Sequence, residues 1–198
     1  MQNQKNQNHP KKGSSIKVEP IRSTAAIKRI KMMLSDNPMY SALFCLGVNC
    51  AYRAGDLLSI KVKQVMNLQP GGQLTVKEQK TGKTRTVTVN RNCVEAIQIL
   101  LASRDYKDDD FLFLGQRGQM KVSSLSNLVK KWCDDAGLKD GPYSSHTLRK
   151  TWGFFQFSKF NASLPLLMRA YGHSSQHITA KYLGIVEEEI QDLYNNEI

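Results

Sequence analysis

The stretch from Met39 to Tyr52, MYSALFCLGVNCAY, carries no charged residue, and it limits the fold more than any other part of the chain. A helix with no polar face has to be enclosed on nearly all sides, so the remaining segments must pack around it. Asn37-Pro38 supplies its start, because proline is tolerated at a first helical position where the missing donor costs nothing. The stretch is too short to span a bilayer and has no secretory flanks, which points to an intracellular protein. Arg53 arrives at its end, and Ala54-Gly55 is expected to break the run before a second short helix, DLLSI.

The other segments alternate between two periods. Ile27, Ile30 and Leu34 share one helical face behind a Ser23 cap. Leu74 and Val76, then Val87 and Val89, alternate on either side of Lys80-Thr81-Gly82-Lys83, which reads as a hairpin with a basic tip. Helical spacing returns over residues 94–102 and 123–136, where Leu125, Leu128, Val129, Trp132 and Ala136 form an inward stripe that leaves out Lys130 and Lys131. Further helices are expected from Ser145, over Leu164 to Tyr171 with Gly172 as a left-handed stop, and behind a cap at Ser174 or Ser175. The reading is mainly α with one small antiparallel sheet, an α+β domain over residues 23–183. Residues 1–22, rich in Asn, Gln, Lys, Ser, Pro and Gly, read as a mobile basic tail or linker. Residues 184–198 read as a helical tail.

Charge indicates the partner. The chain has 28 Lys plus Arg against 17 Asp plus Glu, a net +11, and the excess runs through the folded body at Lys61, Lys63, Lys77, Lys80, Lys83, Arg85, Lys130 and Lys131. A polyanion, nucleic acid first, is the natural ligand. The acidic run Asp108-Asp109-Asp110 is expected in a solvated turn. Four cysteines, Cys45, Cys50, Cys93 and Cys133, lie in apolar runs without CxxC spacing and read as buried free thiols. His173 and His177 would share a face of one continuous helix as metal ligands, but Gly172 and two serines interrupt any such helix. With no Walker segment, zinc-ribbon spacing or paired carboxylates either, no cofactor and no metal are expected.

Two motifs carry chemistry. In SHTLRK, His146 and Arg149 are three apart, so both project from one helical face toward a single phosphate, and an arginine fork suits phosphate oxygens. In YGHSSQHITAKY, His173 closes one helix and Tyr182, nine residues on, lies in the next. Tyr171 and Tyr194 are its rivals by residue type.

Together AYRAGDLL, KTGKTR, HTLR and GHSSQHITAKY resemble the catalytic domain of the tyrosine recombinase, or phage integrase, family over roughly residues 24–183. The six positions are filled in order by Arg53, Lys80, His146, Arg149, His173 and Tyr182. The resemblance implies that Tyr182 is a nucleophile forming a 3′-phosphotyrosine ester and that Arg53 and Arg149 clamp the phosphate. It further implies that His146 accepts a proton or donates to phosphate, that His173 donates to a non-bridging oxygen, and that Lys80, with Lys83 as rival, protonates the 5′ oxygen. Asp56 is implied to cap the following helix or orient Arg53. The implied activity is site-specific recombination on double-stranded DNA by a cytoplasmic enzyme that self-associates into a tetramer on DNA, with a DNA-bending accessory protein. A relaxing enzyme of the type IB topoisomerase kind and a non-catalytic DNA-binding regulator are the alternatives. AYR departs from the more usual Gly-Leu-Arg, and residues 1–22 cannot form the amino-terminal helical domain most relatives carry. Val186, Ile190 and Leu193 have helical spacing that suits either a helix passed to a neighbouring subunit or one folded back.

Overall fold

In the computed structural model, which describes residues 18–115, 118–139, 141–184 and 195, the uncharged stretch forms helix α2, Pro38–Asn49. Asn37 caps it by accepting from the Tyr40 amide at 3.0 Å, and Ala42 to Gly47 are all buried. Helices α1 (Thr24–Met33), α4 (Arg91–Ala102) and α6 (Ser145–Ser158) pack on it. Gly47 lets α6 approach: a Cβ there would lie 2.5 Å from Leu148 Cδ1. Helix α5 (Val122–Asp135) brings Trp132 against Tyr40 and Phe44, with ring centroids 5.6 and 6.1 Å apart. Arg29 of α1 donates twice to the Ala136 carbonyl, occupying an orphan acceptor at the end of α5. All four cysteines are buried and free.

The expected hairpin pairs β1 (Gln73–Lys77) with β2 (Thr84–Thr88), in register from Gln73 opposite Thr88 to Lys77 opposite Thr84. Leu74 and Val76 are buried, as alternation requires. At the tip Gly82 takes φ +69, a left-handed turn open to glycine. A second antiparallel pair, β3 (Leu114–Gly115) with β4 (Gly118–Gln119), was outside the sequence expectation; two-residue strands carry no legible alternation.

Three boundaries differ from expectation. The chain breaks over Cys50 to Arg53, not at Ala54-Gly55, because Ala51 takes a left-handed φ of 51° and α3 (Ala54–Leu58) then starts with Arg53 as its cap. Gly55 instead serves close packing, since a Cβ there would lie 2.7 Å from Gln79 Oε1 at the hairpin tip. Helix α4 starts at Arg91, ahead of Val94, because Asn90 accepts from the Cys93 amide at 3.0 Å. Packing also begins ahead of Ser23: Ile21 is 1% exposed and its amide donates to Thr151 Oγ1 at 2.8 Å. The rest of the amino-terminal segment, residues 1–17, lies outside the described residues, as does the proposed tail helix around Val186, Ile190 and Leu193.

Helices α7 (Leu164–Tyr171) and α8 (Gln176–Leu183) end at Gly172 and Gly184, with φ of 68° and 77°. Ser175 rather than Ser174 caps α8 by accepting from the Ile178 amide. These helices close a small second core of Ala51, Leu167, Tyr171 and Leu183 against α6. Gly153 of α6 makes that closure possible, because a methyl there would overlap the Tyr171 hydroxyl and lie 2.9 Å from Leu183 Cδ2. Overpacking of this kind costs more than the helix-propensity gain of alanine returns. Gly153→Ala is expected to destabilise the chain by about 2 kcal/mol, read as a Tm fall of roughly 4–8 °C by calorimetry. An unchanged Tm would mean that α6 and α7 do not meet here.

Candidate active site

Arg149 is the centre of the site and the most deeply anchored of the six residues the sequence singled out. It is 3% exposed; Nη1 donates to the Ala51 carbonyl, Nη2 donates to the Tyr171 carbonyl at 2.7 Å, and the guanidinium lies over the Tyr171 ring at 4.8 Å. These two carbonyls come from the left-handed turn after α2 and from the last residue of α7. A guanidinium has five N–H donors, so three remain for a ligand. Burial, then the neighbouring arginines, push its pKa down to about 10, which leaves it cationic at neutral pH.

Tyr182 of α8 stands beside it. Its ring meets the Tyr171 and His173 rings edge-on at 5.0 and 5.2 Å, and Lys150 Nζ lies 4.9 Å from the ring centroid. Burial raises the phenol pKa, and the charges of Arg149, Arg53 and Arg85 offset only part of that, so the hydroxyl stays protonated. Although Arg149 is adjacent, the geometry makes no hydrogen bond: Tyr182 Oη is buried without a partner among the described residues. The rival Tyr171 is fully buried with its hydroxyl donated to the Arg149 carbonyl at 3.1 Å, which makes it a structural residue.

His173, just past the Gly172 stop, stacks on Tyr171 at 5.0 Å and pairs Nδ1 with Thr179 Oγ1 at 3.1 Å. Burial and the charges of Arg149, Arg53 and Arg85 push its pKa down to about 4. His146, in the first turn of α6, is exposed by area yet crowded; desolvation, then Arg149, Lys150, Arg53 and Lys80, hold its imidazole below the usual range. Both imidazoles are therefore neutral at pH 7. An unfolded chain takes up protons below about pH 6.5 where folded His173 does not, so acid favours unfolding in this window. Stability is expected to fall as pH drops from about 6.5 toward 4, and His173→Gln to flatten part of that fall in thermal melts. A parallel profile for the two proteins would mean that His173 is not desolvated.

Arg53 is half-buried; Nη1 donates to Glu78 Oε1 at 2.5 Å and lies 3.9 Å from Asp56 Oδ2. Asp56 does not cap α3, since Arg53 occupies the cap position. Asp56 Oδ1 instead accepts from the Gln79 amide at 2.9 Å and so ties α3 to the hairpin tip. Lys80 and Lys83 are both exposed on that tip, and the field of Lys80 reaches His146. His177 is exposed, and no cluster of three or more potential metal ligands occurs among the described residues. Asp109 pairs with Lys63 at 2.7 Å in its turn.

Sequence reasoning missed Glu78, Arg85 and Lys150. Arg85 had a signal: it shares the alternating face of Val87 and Val89, so an inward-pointing arginine on β2 was legible. Its side chain is 11% exposed, lies 5.7 Å from the Tyr52 ring centroid, and contributes to the field at Tyr182. Glu78 and Lys150 had none, because Arg53 and Tyr182, the site residues they meet, lie far from them in the sequence.

The chain is 31% identical over 180 residues to the probable integrase/recombinase YoeC of Bacillus subtilis (strain 168), covering 89% of this chain and 95% of that one. Its fold is similar to that of XerA recombinase, with a TM-score of 0.73 at 22% identity over 89% of this chain and 65% of that one. It is also similar to XerH site-specific recombinase bound to a palindromic difH substrate in a post-cleavage complex, with a TM-score of 0.70 at 19% identity over 91% of this chain and 53% of that one. The chain thus spans nearly all of YoeC but only about two thirds and half of the two solved chains. Residues 21–189, which hold every side chain of the site above, match the model of the phage integrase family, and the chain belongs to that family.

Proposed function

We propose that this chain is a site-specific DNA recombinase that cuts and rejoins duplex DNA by transesterification through Tyr182. The observation that carries the reading is the Tyr182 hydroxyl: buried, without a hydrogen-bond partner among the described residues, and next to an arginine with three donors unspent among them. In the proposed reaction the phenol oxygen attacks the phosphorus, its proton leaves, and the 5′ oxygen departs with a proton from Lys80. Arg149 and Arg53 neutralise the non-bridging oxygens as charge builds, an effect worth about 10²–10³ in rate per well-placed donor. His146 accepts the phenol proton or donates to phosphate. For His173 to donate from Nε2, the Thr179 hydroxyl, which donates to the Ser175 carbonyl at 3.3 Å, must turn its proton to Nδ1, 3.1 Å away. The 3′-phosphotyrosine ester conserves the bond energy, so a free 5′ hydroxyl can reverse the step without a nucleotide.

Duplex DNA as partner is supported by the net +11 charge and by the palindromic difH substrate bound in the XerH structure. No helix among the described residues is long and apolar enough to cross a membrane. Assembly into a tetramer on DNA, a DNA-bending accessory protein and a cytoplasmic location belong to the same proposal.

The test begins with duplexes that the chain enriches from a random pool, rebuilt with a nick beside the candidate cleavage position so that the released fragment diffuses away. A denaturant-resistant adduct whose modified peptide contains Tyr182 is expected, and strand exchange between two marked duplexes separates recombination from relaxation. Absence of any adduct on the enriched duplex would overturn the assignment.

A further inference from the structure

The chemistry above leaves one buried carboxylate at the hairpin tip without a task. Glu78 is 8% exposed; Oε1 accepts from Arg53 Nη1 at 2.5 Å, Oε2 accepts from the Thr81 hydroxyl at 2.6 Å, and Arg85 Nη1 stands 3.8 Å from Oε1. One side chain thus touches an arginine of the site, the loop that carries Lys80, and a second arginine within reach. Burial pushes the Glu78 carboxyl up, but the Thr81 hydrogen bond and the charges of Arg53 and Arg85 more than offset this and hold it below the usual carboxylate range.

Asp56 supplies the other half of the observation. It is 2% exposed, and while Oδ1 is bonded to the Gln79 amide, Oδ2 is buried without a hydrogen-bond partner among the described residues. That oxygen lies 3.9 Å from the same Arg53 Nη1 that Glu78 holds. An unpaired buried carboxylate oxygen is costly, and a small swing of one guanidinium would satisfy it. Two carboxylates therefore compete for Arg53, and in the DNA-free chain Glu78 has it.

We propose that Glu78 is a positioning residue that parks Arg53 in the DNA-free chain, and that the scissile phosphate displaces it, letting Arg53 close on Asp56 Oδ2 while Glu78 turns to Arg85. This rests on reading Arg53 as a phosphate ligand. The physical reason for parking is that Arg53, Arg85 and Arg149 converge on Tyr182, and before an anion arrives their like charges need a counter-charge. Glu78 supplies it and then competes with phosphate for the same donor. Such competition is a negative coupling between carboxylate and phosphate, and it is reciprocal. It also gives the tip a sensor, because releasing Arg53 frees Glu78 to reset the loop through Thr81.

The test measures single-turnover adduct formation by the full chain on the enriched nicked duplex, across duplex concentrations, for the wild type, Glu78→Gln and Glu78→Asp. Parking predicts that the half-saturating concentration falls about fivefold in Glu78→Gln, and less in Glu78→Asp, while the plateau rate holds. A plain scaffold role predicts the reverse, an unchanged half-saturating concentration with a lower plateau, and would overturn the proposal. A second readout needs no cleavage: the side-chain ¹⁵N resonance of Arg53, assigned with Arg53→Lys, followed in a Tyr182→Phe background. It should differ between Glu78 and its variants without DNA, and coincide once the duplex is bound. Identical DNA-free resonances would overturn the proposal even if Glu78→Gln folded poorly, because Glu78→Asp keeps the buried charge. Should the wild type form no adduct at all, the catalytic reading fails, and the resonances alone decide whether Arg53 is parked.

Discussion

Tyr182→Phe is expected to abolish covalent capture of the nicked duplex, a loss of at least about 10⁴-fold, while making the DNA-free protein slightly more stable. The two effects come from one atom. Loss of the phenol oxygen removes the proposed nucleophile, the hydroxyl on which the charges of Arg149, Arg53 and Arg85 act. The same oxygen is buried without a hydrogen bond among the described residues, so its removal breaks no hydrogen bond there and relieves a desolvation cost of about 1 kcal/mol or more. The ring contacts with Tyr171 and His173, and the Lys150 contact over the ring, survive in phenylalanine. The expected Tm rise is roughly 2–4 °C, measured by calorimetry beside a denaturing gel for the adduct. A Tm that falls by several degrees would mean that the hydroxyl has a structural partner in the resting protein, and an adduct that persists would mean that another residue is the nucleophile.

Much of the architecture that places this oxygen was legible before any coordinates. Ser23, Asn37 and Ser175 act as caps because their side chains accept amide protons that the first turns leave unpaired. Gly172 stops α7 because it takes a left-handed φ at no steric cost, and the alternation of Leu74 and Val76 set the face of the hairpin. All of these are local effects. The turn at Ala51 was not legible, because a left-handed alanine is disfavoured by local sterics and is held by its surroundings: its carbonyl accepts from Arg149, 98 positions away. Gly55 was misread as a helix breaker for a similar reason, since its role is to admit Gln79 of the hairpin. The bridging of Arg53 and Arg85 by Glu78 depends on the turn that folds the tip back, which no periodicity encodes. The candidate residues were therefore readable as a spaced set, while the contacts that fasten Arg53 and Arg149 in the structure were not.

Arg149→Lys, a substitution that keeps the charge, is expected to lower the adduct rate by at least about 10³-fold and to destabilise the fold by about 2–3 kcal/mol. On the proposed reading the guanidinium does two kinds of work with different donors. Nη1 and Nη2 fasten the turn at Ala51 and the end of α7 to α6, so the loop that leads into Arg53 and the stop that presents His173 are fixed by one group. The remaining donors lie beside Tyr182. A lysine ammonium concentrates its donors on one nitrogen and cannot span two carbonyls while also reaching a phosphate. In a site that is already 3% exposed and ringed by Arg53 and Arg85, burial and like charge would also favour its neutral form. The expected Tm fall is roughly 4–12 °C. Adduct kinetics measured well below the new Tm then separate the two roles: a protein that is folded at the assay temperature but slow has lost the phosphate clamp. If the rate instead recovers fully once unfolding is corrected for, Arg149 only fastens three segments together, and the catalytic cation must be sought in Arg53 and Arg85.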